Sequence, residues 1–285
     1  MKHILKRAAA RVAESRVVRS TVVHLVYPTI VRCIRDEVQP DVPSETGVVE
    51  DLAWKIHAQI VLNDELRLHG VNCCPDGLRS DKETRARLFE AVLSAASDVP
   101  GDILEFGVSS GESMRYWAQH CPDRRIFGFD SFEGLPEEWW TRSVGAFKAD
   151  VPHIDAPNVE FVKGWFDQSL PPFLARWAGR AAIIHVDCDL FSSTRTCLRL
   201  TLPRSGPGTL VVFDEYYNYQ VFAEHEWLAW REALNTFGMT ARCVAYDGRR
   251  AAFQIVSMAA AEGNGMEPSG RRALEGAAEA GASSP

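Results

Sequence analysis

Through the middle of the chain, short apolar runs alternate with amphipathic stretches of helical period. The apolar runs Ile103–Val108, Arg125–Phe129, Val159–Val162, Ala182–Val186 and Thr209–Phe213 predict five strands. Between them the spacing predicts helices over about Glu112–Cys121, Gln168–Trp177, a stretch capped by Ser192 and running to Leu200, and Glu224–Phe237. Another helix, from about Asp81 to Ala96, precedes the first strand, with Asp81 as its N-cap. Two further strands, Thr240–Tyr246 and Ala251–Ser257, close the pattern through a tight turn at Asp247-Gly248. Strands that are apolar throughout and separated by helices belong to a mostly parallel sheet covered on both faces. The expected fold is therefore α/β: a Rossmann-like, doubly wound, seven-stranded sheet with an antiparallel C-terminal hairpin.

The ends read differently. Residues 1–40 place arginines opposite Val, Leu and Ile, as in one or two amphipathic helices interrupted at Pro28. An irregular connection follows, and the expected division is a helical N-terminal extension over 1–80, an α/β domain over 81–257 and a disordered tail over 258–285. The tail is rich in Ala, Gly, Glu and Ser, with Leu274 its main large apolar residue.

Charge narrows the partners. The 285 residues carry a formal charge of −7. Residues 1–40 hold eight Lys and Arg against three Asp and Glu, a net +5, so the rest carries −12. Such a body is a poor phosphate binder, which argues against a nucleic-acid partner. The basic segment suits packing on its own domain, homo-oligomer formation or contact with an acidic membrane surface. Its most apolar stretch, Thr21–Val31, contains His24 and Pro28 and is too short to span a bilayer. Seven cysteines without a Cys-x-x-Cys pair point to a reducing, cytoplasmic setting, with the adjacent Cys73 and Cys74 read as ordinary thiols.

Chemistry concentrates at the carboxyl ends of the strands. The first strand runs into Glu105-Phe106-Gly107-Val108-Ser109-Ser110-Gly111-Glu112. Gly107 and Gly111 allow a tight turn and a close approach to the free amides of the next helix. The spacing lacks the third glycine of a dinucleotide fingerprint, which weighs against a nicotinamide-dependent oxidoreductase. The second strand ends at Asp130, an acid suited to ribose hydroxyls, followed by Ser131. After the third, Gly164, Trp165 and Phe166 offer aromatic cover for a base or an ordinary core contact. The fourth and fifth strands end in Asp187-Cys188-Asp189 and Asp214-Glu215. Clustered carboxylates repel unless a proton or cation sits among them, and oxygen donors suit Mg2+. His185 lies within an apolar strand and reads as a core residue.

Four segments together are specific: Gly101–Val108, Gly128-Phe129-Asp130-Ser131-Phe132-Glu133-Gly134-Leu135-Pro136, His185–Thr194 and Phe213-Asp214-Glu215-Tyr216. Over residues 80–257 they resemble the macrocin O-methyltransferase (TylF) family of class I S-adenosylmethionine (SAM) methyltransferases. The resemblance implies SAM as methyl donor and a hydroxylated small-molecule acceptor such as a sugar, glycoside or phenol. It implies cofactor contacts at Glu105, Gly107, Val108, Ser109, Gly111, Ser113, Asp130, Ser131, Gly164, Trp165 and Asp187. The family's metal site maps onto Asp187, Asp214 and Glu215, where many members carry two aspartates in the last pair. Asp187, or alternatively Asp189, is the expected base, with His225 a further catalytic candidate. The segment Glu137–Asp155, with Trp139, Trp140, Phe147 and His153, suits either an acceptor lid or a packed surface loop. A non-catalytic scaffold that kept the fold is the remaining alternative.

Overall fold

The computed structural model describes residues 54–74 and 79–259, so the expectations for residues 1–40 and for nearly all of the tail lie outside the described residues. A helix over residues 54–61 (α1) continues into a π-helical turn, Leu62–Leu66. Then come β1 (Val71–Asn72), α2 (Lys82–Ala95), β2 (Asp102–Phe106), α3 (Glu112–His120), β3 (Ile126–Asp130), β4 (Val159–Lys163) and α4 (Phe166–Arg176). The chain continues through β5 (Ala181–Val186), α5 (Phe191–Thr201), β6 (Leu210–Phe213), α6 (Glu226–Thr236), β7 (Thr240–Tyr246) and β8 (Ala251–Ser257).

The strands form one sheet in the order β1-β7-β8-β6-β5-β2-β3-β4, in which only β8 runs antiparallel to its neighbours. The α/β doubly wound expectation holds, with an eighth strand added. β1 is only two residues long and exposed on both faces, so it leaves no hydrophobic pattern to read. It is held by parallel pairing with Ala245 and Tyr246 of β7. Residues 54–66 also join the body, because Ala58, Val61, Leu62 and Leu66 bury in the same cluster as Phe213 and Trp230.

The sheet is covered on both faces. One face packs on α4, α5 and α6 through Phe173, Leu198 and Trp230; the other packs on α2 and α3 through Phe89, Val92 and Trp117. Asp81 caps α2 in a reciprocal box, its carboxylate accepting from the Thr84 amide at 3.0 Å while the Thr84 hydroxyl accepts from the Asp81 amide at 3.0 Å. Two local expectations need correction. Ser192 does not cap α5; Leu190 stands at the N-cap and the Ser192 hydroxyl donates instead to Glu137. The closing turn spans residues 247–250 rather than two residues, because Asp247 Oδ1 accepts from the amides of both Arg249 and Arg250 at 2.8 Å.

The order reverses between β2 and β5. From β2 the chain adds β3 and β4 on one side, then crosses to β5 on the other. A crevice therefore opens above the carboxyl ends of β2 and β5, the usual place for a ligand in an open α/β sheet. No helix joins β3 to β4. The long connection carries only an isolated bridge between Trp139 and Arg142, and it folds over this crevice.

Candidate active site

The crevice is a cleft of about 770 Å³. Its wall at β2 is backbone. Gly107 has φ +90°, and a Cβ there would lie 1.8 Å from the Asp187 carbonyl oxygen, so only glycine lets the β2 and β5 ends approach this closely. The Gly107 amide donates to the Phe129 carbonyl at 2.9 Å and the Asp187 amide to the Phe106 carbonyl at 2.8 Å, which ties the three strand ends together.

Asp130 braces the same turn. Its Oδ2 accepts from the Val108 and Ser109 amides at 2.8 and 2.9 Å, and its Oδ1 from the Phe132 amide at 2.7 Å. A carboxylate has about four acceptor positions, so roughly one is left for a ligand hydroxyl. Of the residues the resemblance assigns to the cofactor, Gly107, Ser109, Asp130, Ser131, Gly164, Trp165 and Asp187 line the cleft. Glu105, Val108, Gly111 and Ser113 do not. Glu105 is fully buried and turned inward, accepting from Ser113 Oγ at 2.7 Å, Trp117 Nε1 at 3.0 Å and His185 Nδ1 at 3.0 Å. Gly111 stands at the N-cap of α3 with φ +75°.

The acids after β5 and β6 come together but divide their partners. Asp187 faces the cleft, and among the described residues no cation pairs with it. Burial, then the nearby Asp214 and Asp189, hold its carboxyl well above the usual carboxylate range. Asp189 also lines the cleft, in a left-handed conformation with φ +61°. Burial and Asp214 push its pKa up to about 7, against the pull of Arg249 and Arg142. Asp214 lies outside the cleft lining and accepts from Arg250 Nε at 2.6 Å. Glu215 lines the cleft, and its Oε1 accepts from Arg249 Nη1 at 3.1 Å while its Oε2 is buried without a partner. Burial raises its pKa to about 8. Among the described residues, one ring nitrogen of His185 and carboxylate oxygens of Asp187 and Asp214 converge, all within 4.8 Å of one another, so two of the three expected metal ligands meet here with a histidine beside them.

His225 is not brought into the cleft. It is the N-cap residue of α6, its Nδ1 accepts from the Phe191 amide at 3.4 Å, and burial lowers its pKa.

Several site residues escaped the sequence reading. Arg249 and Arg250 reach the acids from the β7–β8 turn, and the signal was two adjacent arginines directly after Asp247-Gly248. Fully buried Glu226 accepts from the Glu215 amide at 3.0 Å, and nothing local in a helix start foretells that contact. In the β3–β4 connection, the expected Trp139, Trp140 and Phe147 line the cleft, joined by Arg142, which had not stood out, while His153 does not line it. Trp139 is buried, whereas Trp140 and Phe147 are 45% and 46% exposed, so this segment is both packed and open to a ligand.

Residues 104–216 match a family model described as a methyltransferase domain. A tetracenomycin-glycoside 4'-O-methyltransferase of Streptomyces olivaceus, acting on an 8-(2,3-dimethoxy-α-L-rhamnosyl) derivative, is 32% identical over 152 residues. That match covers 45% of this chain and 56% of the relative. Mycinamicin III 3''-O-methyltransferase of Micromonospora griseorubida is 29% identical over 161 residues, covering 45% of this chain and 61% of the relative. The matched region thus spans little more than half the length of these relatives. Among solved structures, the calicheamicin methyltransferase CalS11 superposes with a TM-score of 0.50 at 21% identity, over 74% of this chain and 93% of that one. That likeness supports the Rossmann-like fold.

Proposed function

We propose that this chain, whose residues 104–216 match a methyltransferase domain, moves a methyl group from SAM to a hydroxyl of a small molecule, a sugar or natural-product glycoside, with Mg2+ assistance. The observation that carries the reading is the cleft at the strand-order reversal, with acids whose protonation is poised by burial on its floor.

The residues present fit the donor. Gly107 leaves backbone open to close approach, Ser109 and Ser131 offer hydroxyls, Asp130 keeps an acceptor position, and Trp165 offers a face for a base. SAM would supply an electrophilic methyl group, its sulfur–methyl bond breaking to leave S-adenosylhomocysteine as the new carbon–oxygen bond forms. Asp187 is the proposed base, and Asp189 the alternative. Either carboxylate would take the acceptor's hydroxyl proton as the acceptor oxygen bonds to the methyl carbon. Trp139, Trp140 and Phe147 would position the acceptor and exclude water.

The acids also fit a cation, because they crowd together and Glu215 Oε2 and His185 Nε2 are buried without partners. Asp187 and Asp214 would hold Mg2+; Glu215 would join them on leaving Arg249. The ion would polarise the acceptor hydroxyl and lower its pKa.

Transfer of a labelled methyl group from SAM into a panel of hydroxylated acceptors tests the function. SAM binding by calorimetry with NAD silent is the expected companion result. NAD binding with SAM silent would overturn the assignment, and SAM binding without any transfer would favour a scaffold. Chelation is expected to abolish transfer and Mg2+ to restore it.

Two variants probe the site further. If Asp189 is the base, the transfer rate is expected to rise with pH through about 7, because a carboxyl with a raised pKa accepts a proton only above that value. Asp189→Asn then removes that rising limb. If Asp187 is the base, the variant shifts the limb and leaves most of the rate. Trp140→Ala is expected to weaken acceptor binding by roughly 2- to 12-fold, the equivalent of one aromatic contact, with SAM affinity unchanged. Acceptor titrations check it, and unchanged affinity and rate would remove Trp140 from the acceptor site.

The setting is proposed as cytoplasmic. The six described cysteines are free and buried, and among the described residues no helix is long and apolar enough to cross a membrane. Contact of the basic segment 1–40 with a second subunit or a membrane surface, and the absence of a nucleic-acid partner, are proposals from charge alone.

A further inference from the structure

His185 is fully buried in β5, yet its ring is not simply a core filler. Its Nδ1 lies 3.0 Å from Glu105 Oε2. Glu105 also accepts from Trp117 Nε1 and Ser113 Oγ, so the carboxylate acts as acceptor throughout and the hydrogen between it and the ring belongs to Nδ1. In the neutral ring Nε2 then carries a lone pair, and this buried atom has no hydrogen-bond partner. The ring cannot turn to find one, because Phe89 and Trp117 pack edge-on against it at 5.3 and 5.8 Å between centroids.

A ring nitrogen of His185 and carboxylate oxygens of Asp187 and Asp214 lie within 4.8 Å of one another. Nδ1 is committed to Glu105, which leaves Nε2 as the ligating nitrogen. Positive charge is short at this point. The one nearby cation on Asp214, Arg250, is shared with Asp247, which it meets at 2.9 Å, and Asp187 has no cationic partner among the described residues.

We propose that His185 Nε2, Asp187 and Asp214 form one nitrogen-and-oxygen site for a divalent first-row metal ion, with Glu105 orienting the imidazole, and that the site prefers Mn2+ or Co2+ to Mg2+. A metal-ligating histidine characteristically gives its other ring N–H to a carboxylate, the arrangement of Glu105 and His185. Imidazole suits transition ions, whereas Mg2+ prefers oxygen ligands and water. Glu105 thereby changes role from cofactor contact to ligand support, which accounts for its turn away from the cleft. The proposal specifies the cation of the methyl-transfer reading and shares Asp187 and Asp214 with it, but its geometry stands without that reading.

The test uses the full chain, freed of metal by chelator, and reads metal binding rather than activity. Calorimetry is expected to show one Mn2+ site at least ~10-fold tighter than Mg2+. Pulsed electron paramagnetic resonance of bound Mn2+ is expected to show coupling to a 14N nucleus. His185→Gln should remove that coupling and weaken Mn2+ binding roughly 10- to 100-fold, and Glu105→Gln should weaken it by a similar factor while keeping the coupling. Mn2+ bound without 14N coupling in the unaltered chain, no preference over Mg2+, or no Mn2+ binding at all would each overturn the proposal, and these readings do not depend on any variant folding. SAM affinity measured on the same preparation separates the outcomes. Absent SAM binding with intact 14N coupling would defeat methyl transfer and leave the metal site standing.

Discussion

Replacing Asp187 with asparagine is expected to lower the proposed methyl transfer at least ~10²-fold, the usual contribution of a positioned general base, with the loss of a proposed cation ligand added to it. Asparagine keeps the size of the side chain and removes both its negative charge and its capacity to take a proton. Asp187 faces the cleft with no cation among the described residues to neutralise it, so no neighbouring ion pair is left broken by the change. The fold should therefore survive, and removing a buried charge held among Asp214 and Asp189 should leave stability equal or higher. Single-turnover transfer with saturating SAM, paired with thermal denaturation, checks both halves. A variant of normal stability that retains more than about a tenth of the rate would move the base to Asp189.

Gly107→Ala is expected to be the most damaging glycine-to-alanine change among the described residues. The added Cβ would lie 1.8 Å from the Asp187 carbonyl oxygen and 2.6 Å from its carbonyl carbon, and both belong to backbone that cannot swing away like a side chain. The position also has φ +90°, where an L-residue is strained. Overpacking costs about 1–3 kcal/mol and such backbone strain about 1–3 kcal/mol, so roughly 3 kcal/mol or more is expected in total. For a domain of this size that corresponds to a fall in Tm of about 6–12 °C. Separation of the β2 and β5 ends would also widen the cleft and abolish the proposed SAM binding. Calorimetry and thermal denaturation test this, and a variant with wild-type Tm would show that the two strand ends do not meet as described.

These expectations differ in how far they were legible from residues alone. The sheet was legible because its central strands are short, largely apolar runs and the helices between them repeat at 3.6 residues. That pattern located β7 and β8 to the residue, and it placed Asp81 at the head of α2. β1 was not legible, because two exposed residues carry no period and depend on β7 for their pairing. Gly107, Asp130, Asp187, Asp189 and Glu215 stand out in the sequence because acids and glycines at strand ends contrast with apolar runs, and the fold brings all five to the lining of the cleft. Glu105 and His225 look equally suggestive in the sequence, and the fold turns one into the core and the other onto α5.

By itself, the sequence determined the order and type of the main elements and the edge of the sheet at which chemistry gathers. Burial period and turn chemistry are local properties, written into neighbouring residues. Only the tertiary structure decided which acids keep free oxygens. That depended on Arg249 and Arg250 arriving from a turn some 35 residues later in the chain to hold Glu215 and Asp214. It likewise decided that His185 and Glu105, 80 residues apart, meet across β5 and β2 and leave a buried ring nitrogen without a partner beside Asp187. Partnership between charged groups is a matter of distance and of shared exclusion from water, and both are set by how strands pair and not by where residues stand along the chain.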